Sequence, residues 1–157
     1  MRKADELFRV AQALANKRAK FTSVKGPGVG DKHTNSFMEE LRDRAAKAFG
    51  SDHSEQKICG PNGFRVDFYF PDEQTIVEVA LGLRNPLSEY ERDIIKALMA
   101  RRGGHRVSRL VFVSKPGARK RLEQPGAKAI ATWAKQKHRL EIVVWELGGV
   151  AAERPSR

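Results

Sequence analysis

A single cysteine, Cys59, cannot form an internal disulfide, and its isolation suits a reducing cytoplasm. No apolar run approaches the roughly 20 residues that a bilayer-crossing helix needs, so the chain is read without a membrane partner. The opening Met-Arg-Lys-Ala-Asp-Glu is charged and leads into an amphipathic helix, which is not the pattern of a signal peptide. The four histidines, at 33, 53, 105 and 138, are scattered and show no zinc-ligand spacing, alone or with Cys59. No segment repeats. Acidic residues are outnumbered, 19 against 30 lysines and arginines, for a net charge of +11. That imbalance favours a polyanionic partner, nucleic acid before an acidic protein, because basic side chains release the counterions of phosphates.

What is present, in 157 residues with 40% hydrophobic and 31% charged content, is one domain with enough apolar material for a core. Its most ordered pattern is at residues 64–70, Phe-Arg-Val-Asp-Phe-Tyr-Phe. Strict alternation puts Phe64, Val66, Phe68 and Phe70 on one face and Arg65, Asp67 and Tyr69 on the other, which predicts a strand. Residues 75–81, Thr-Ile-Val-Glu-Val-Ala-Leu, are β-branched and almost wholly apolar, as in a strand covered on both faces. Glu78 is out of place there. The intervening Pro71-Asp72-Glu73-Gln74 predicts an even-numbered turn, and an even turn sets Asp67 opposite Glu78 and Arg65 opposite Ala80. A slip by one residue would turn a core face against a polar one. Opposed residues hold their Cβ atoms about 5 Å apart, where two like charges repel. A cation between Asp67 and Glu78 resolves the repulsion.

The flanking elements follow from apolar periodicity and caps. A helix is expected over residues 5–18, with Leu7, Val10, Ala11 and Leu14 inward, then a basic flexible connector through residue 32, so that residues 1–35 form an N-terminal appendage. Within it, Gly26-Pro27-Gly28-Val29-Gly30-Asp31-Lys32 lacks the preceding strand and the lysine spacing of a phosphate-binding loop. A second helix is expected from Ser36, with Glu39 completing a capping box and Phe37, Leu41, Ala45 and Ala48 inward. Residues 51–56 read as a polar loop and 57–59 as a short strand. After a crossover loop at 83–87, Ser88 with Glu91 caps a third helix, with Tyr90, Ile94, Ile95 and Leu98 inward and Glu89, Arg92, Asp93 and Lys96 outward. Residues 109–114 predict a strand, Pro125 to about His138 a helix with Ile130, Trp133 and Ala134 inward, and 140–147 a last strand before a frayed tail at 148–157. The order implies an α/β sheet with helices on both faces.

Helix, antiparallel strands, helix, strand over residues 36–147, with Asp67 on the second strand and Glu78-Val79-Ala80 on the third, resembles the PD-(D/E)xK nuclease superfamily, which includes many restriction endonucleases. The resemblance implies a restriction-endonuclease-like fold: a central mixed sheet, antiparallel hairpin plus parallel strands, flanked by helices on both faces. It implies a deoxyribonuclease, an endonuclease hydrolysing phosphodiester bonds, with DNA preferred as substrate and RNA as the alternative. It implies a metal site of Asp67, Glu78 and the backbone carbonyl of Val79, and a further acid on the first core helix, Glu40 before Glu39. Such hard oxygen donors suit Mg2+ or Mn2+. Ala80 stands where the family has its lysine. Arg65, Lys57 and Lys96 are the candidates to replace that charge, Arg65 as a stabiliser of phosphate charge rather than a base. If none does, the chain is a catalytically inactive nucleic-acid-binding module on the same fold. Cutting both strands of a duplex would call for a homodimer by symmetry.

Overall fold

The computed structural model describes residues 1–18, 29–81 and 86–148. Along the chain these form α1 (Lys3–Lys17), α2 (Val29–Phe49), β1 (Ser54–Gln56), β2 (Val66–Phe70), β3 (Thr75–Val79), α3 (Pro86–Arg102), β4 (Arg109–Ser114), α4 (Ala118–Leu122), α5 (Pro125–His138) and β5 (Glu141–Glu146). The strands make one mixed sheet in the order β1-β2-β3-β4-β5. β1, β2 and β3 run antiparallel to one another, and β4 and β5 continue parallel to β3. Parallel neighbours need crossovers, and the helices supply them. Among the described residues no helix is long and apolar enough to cross a membrane.

The side-chain alternation of the strands sorts the interior into two cores. Phe68, Phe70, Val77, Val79, Val111 and Val113 face α1 and α2, where Leu7, Leu14, Phe37 and Leu41 are buried. Ile76, Ala80, Leu110 and Phe112 face the other way, against Tyr90, Ile94, Ala97 and Ala100 of α3 and Ala127 and Ala134 of α5. β3 is buried along its whole length, as expected of a strand covered on both faces.

The turn before β3 has four residues. Pro71–Glu73 form a short 3-10 turn, and Gln74 closes it in the left-handed region at φ 52°. An even turn keeps the hydrophobic faces in register, and Phe68 pairs with Val77, Tyr69 with Ile76, and Phe70 with Thr75. The pairing stops at Phe68 and Val77, one residue short of Asp67 on β2 and of Glu78 on β3.

Several elements depart from the sequence expectation. β1 is Ser54–Gln56, within the stretch read as a polar loop, rather than 57–59. The alternation in 64–70 holds only over residues 68–70: Phe64 lies outside β2 and is exposed, and Val66, although within β2, joins the α3-side core. α2 starts at Val29, so the appendage expected over 1–35 merges into the core helix. Ser36 is therefore not a cap; its hydroxyl accepts a hydrogen bond from Arg18 Nη1 at 3.2 Å. Ala48 is exposed and Met38 is buried in its stead. α3 starts at Pro86, ahead of the Ser88 cap. Most of the 83–87 loop, the glycine-rich 26–28 and the tail beyond 148 lie outside the described residues.

The N-cap of α1, Arg2, supplies no side-chain hydrogen bond. The carboxylate of Glu73, on the β2–β3 turn, accepts from the backbone N–H of Lys3 and, at 3.2 Å, of Ala4. A distant acid thus satisfies donors that every helix start leaves open, at the end where negative charge is favoured. Glu73→Ala should therefore cost roughly 0.5–2 kcal/mol, the usual worth of an N-cap. Urea unfolding monitored by circular dichroism measures it; a midpoint shift below experimental error would mean that water replaces the cap at no cost.

Candidate functional site

β2 and β3 deliver Asp67 and Glu78 to the α3 side of the sheet, and the two carboxyl groups turn towards each other's strand. Asp67 Oδ2 accepts from the backbone N–H of Val79 at 2.8 Å, and Glu78 Oε2 accepts, at 3.4 Å, from the backbone N–H of Asp67. Where the ladder ends, each side chain takes a donor of the opposite strand. The carboxylates are near enough for the charge of Asp67 to act on Glu78.

α3 supplies the rest. Lys96 Nζ lies 2.7 Å from Glu78 Oε1 and 2.9 Å from Asp93 Oδ1. Glu78, Asp93 and Lys96 are 3%, 3% and 7% exposed. The Lys96 ammonium is thus the positive group at both Glu78 Oε1 and Asp93 Oδ1. Arg92 Nε approaches Asp93 Oδ1 from the surface at 3.9 Å. Glu89, one turn before Asp93, feels the charges of both Asp93 and Asp67.

Burial sets the protonation of this group. It raises the pKa of Glu78 well above the ordinary carboxylate range, and the neighbouring charges of Asp67 and Asp93 raise it further, with Lys96 opposing. Burial also raises Asp67 against the Val79 N–H and Lys96, and raises Asp93 against Lys96. At Lys96 burial acts to lower the pKa, but Glu78 and Asp93 outweigh it and the net shift is upward. The ammonium therefore stays charged, while Glu78 is the acid that most readily keeps a proton. Fully ionised, the three carboxylates would leave two negative charges uncompensated by Lys96. A hard divalent cation fits that deficit, and carboxylate oxygens are donors of the right kind. Among the described residues, however, no three Asp, Glu, His or Cys side chains already converge as metal ligands.

Of the residues singled out in the sequence, the structure gathers Asp67, Glu78 and Lys96. Lys96 had been assigned to the outward face of its helix, and it is buried. The correction lies in the choice of face: α3 packs through Tyr90, Ile94, Ala97 and Ala100, and Ile95 is 54% exposed. Following the alanines rather than the largest aliphatics would have found that face. Alanines let the helix approach the sheet closely, so the longer Asp93 and Lys96 beside them reach β3.

Glu40 belongs to α2, which packs against the other face of the sheet, and its carboxylate is taken by Arg18 at 2.6 Å and by Arg44. Those guanidiniums hold its pKa below the usual value. Glu39 on the same helix is exposed. Arg65 precedes β2 and reaches Glu55 at 3.7 Å. Lys57 is exposed after β1. Ala80 is buried in the α3-side core, with its N–H bonded to the Val113 carbonyl at 2.9 Å. Tyr69 is packed, its hydroxyl donating to the Arg106 carbonyl at 3.0 Å. Asp93 and Glu89 are the members that sequence reasoning missed; the Asp93–Lys96 spacing of three on a helix was their visible trace.

No family model, curated protein or solved structure matches this chain.

The raised carboxylates give a signed prediction. From pH about 4, where the unfolded acids ionise, up through the raised native pKa values, the folded state holds protons that the unfolded chain has lost, so stability falls as pH rises. Glu78→Gln, permanently neutral, should flatten that slope and be more stable than the parent at pH 8. Lys96→Met should lower stability by about 3–5 kcal/mol, because it strands buried carboxylates without a counter-charge. Denaturant unfolding at pH 4.5, 6 and 8 tests both; equal slopes for Glu78→Gln and the parent would remove Glu78 as the titrating group.

Proposed function

We propose that this protein is a metal-dependent nuclease of the PD-(D/E)xK kind with a restriction-endonuclease-like core, hydrolysing phosphodiester bonds of DNA. The observation that carries the reading is the meeting of Asp67 and Glu78 with Lys96 at one buried point beside the end of the β2–β3 ladder. The three antiparallel strands followed by strands parallel to β3 support it, as does the net charge of +11. Lys96, reaching in from α3, stands in for the cation that Ala80 does not provide.

Asp67 and Glu78, with the carbonyl of Val79, would hold Mg2+ or Mn2+. When bound, such an ion supplies positive charge against the scissile phosphate and eases deprotonation of the attacking water. Glu78 would hold the ion as its carboxylate, with Lys96 beside it at 2.7 Å. The Lys96 ammonium would supply positive charge towards the non-bridging oxygens, where negative charge grows during in-line attack. Its raised pKa makes it a charge stabiliser rather than a general base. Asp93 positions it. Glu40 has no part in this scheme.

One observation favours a second reading. Lys96 lies at contact distance from both Glu78 and Asp93, an internal counter-charge that suits a nucleic-acid-binding module that has lost hydrolysis.

Relaxation of supercoiled plasmid in Mg2+ or Mn2+ separates the two. The nuclease reading expects nicking that Asp67→Asn and Glu78→Gln abolish and that Lys96→Met slows by roughly 10²–10³-fold. It also expects Mn2+ binding to release protons, seen calorimetrically as a heat that depends on the buffer's ionisation enthalpy. Plasmid binding without nicking under either ion, and metal titrations without proton release, would select the binding module.

A further inference from the structure

Trp133 was expected in the core, yet it is 47% exposed on α5. The other tryptophan, Trp145, is buried with its ring 5.3 Å from that of Phe8. A half-exposed indole forgoes much of the burial that makes tryptophan a core residue. Its exposed ring is propped by His138, with centroids 4.6 Å apart in an edge-on contact.

The helix itself carries one sign of charge. No acidic residue occurs from 124 to 140. Lys137 lies one turn beyond Trp133 and the exposed Arg139 follows the helix end, while Lys128 and Lys135 border the exposed face from its other flank. The remaining exposed positions near the indole are Ala129, Thr132 and Gln136. With no second large apolar group, this surface lacks the continuous apolar face of a membrane-lying helix. A planar aromatic among lysines and arginines matches a ligand that is both polyanionic and built of flat rings.

Both ends of α5 are tied to α3, the helix carrying Asp93 and Lys96. Tyr90 donates its hydroxyl to the Ala127 carbonyl at 3.3 Å, and Arg101 donates to the His138 carbonyl. Trp133 lies six residues past Ala127, about 9 Å along the helix axis.

We propose that the exposed face of α5 binds single-stranded nucleic acid, with Trp133, buttressed by His138, stacking on an unpaired base while Lys137, Arg139, Lys128 and Lys135 neutralise the flanking phosphates. The inference rests on nucleic acid being the partner and is independent of hydrolysis. An unpaired base is specified because the bases of a duplex are already stacked on one another.

The test uses the full chain with EDTA present, so that no cleavage intervenes. Fluorescently labelled oligo-dT and oligo-U of fifteen nucleotides, a duplex of equal length, and heparin as a polyanion without bases are titrated by anisotropy or by competition. Trp133→Ala should weaken both oligonucleotides by roughly 5- to 100-fold, the worth of one stacked base, and leave heparin within twofold. Trp133→Phe should recover most of the loss. In Trp145→Phe, where Trp133 is the sole indole, oligo-dT should quench emission and heparin should not; the anisotropy series stands alone if that variant misfolds. Equal oligonucleotide affinity for Trp133→Ala and the parent overturns the proposal. So does a parallel loss of heparin binding, or a Trp133-independent preference for the duplex.

Discussion

A carboxylate in a dry place is costly unless something positive or a proton accompanies it, and this protein buries Glu78 and Asp93 almost completely with Asp67 beside them. Removing an ion from water costs several kcal/mol after relaxation, more than one ammonium can return to three acids. The structure meets the cost in two ways: Lys96 sits between Glu78 and Asp93, and burial raises the pKa of Glu78, which favours its neutral form. Much of the α3 side follows from this requirement. The helix meets the sheet through Ala97 and Ala100, close enough for charged side chains to bridge the layers, and the backbone N–H groups of Asp67 and Val79 are given to carboxylates rather than to the ladder. The α1–α2 side has no such burden. Its buried cluster holds no charged side chain among the described residues, and it supplies the rigid backing against which a polar cluster can be held.

Strands were the more readable half of the fold. Period-two alternation and β-branched runs marked β2, β3 and β4, and the parity of the turn set the register of β2 on β3 because only one parity keeps both cores intact. The nearness of Asp67 to Glu78 was therefore legible in the sequence, although the paired ladder stops at Phe68 and Val77. Helix starts were the weaker half. Ser36 and Ser88 carry capping signatures, yet α2 and α3 begin earlier; at Ser36 the hydroxyl serves Arg18 instead. Helix faces failed where small residues made the contact. Ile95 and Trp133 looked like core by size and lie outside it, while Ala97, Ala100 and Ala134 do the packing. Lys96 was hidden by the same mistake, since a lysine is read as solvated unless its helix face is known to be inward.

The basic character of the chain is distributed rather than focused. Arg18 and Arg44 are spent on Glu40, and Arg42 on Glu55, so part of the positive charge is locked in local pairs. α5 lacks acids altogether, and its charge is free to act outward.

Glu73 belongs to a turn, yet it caps a helix that begins seventy residues upstream. During synthesis α1 leaves the ribosome before the β2–β3 turn, so its leading N–H groups stay open to water until Glu73 has been added and that turn has formed. The earliest helix in the chain is thus completed by a contact of high sequence separation. Its docking is paced by the hairpin, and a deletion in that short turn would disturb strand pairing and the N-terminal helix together.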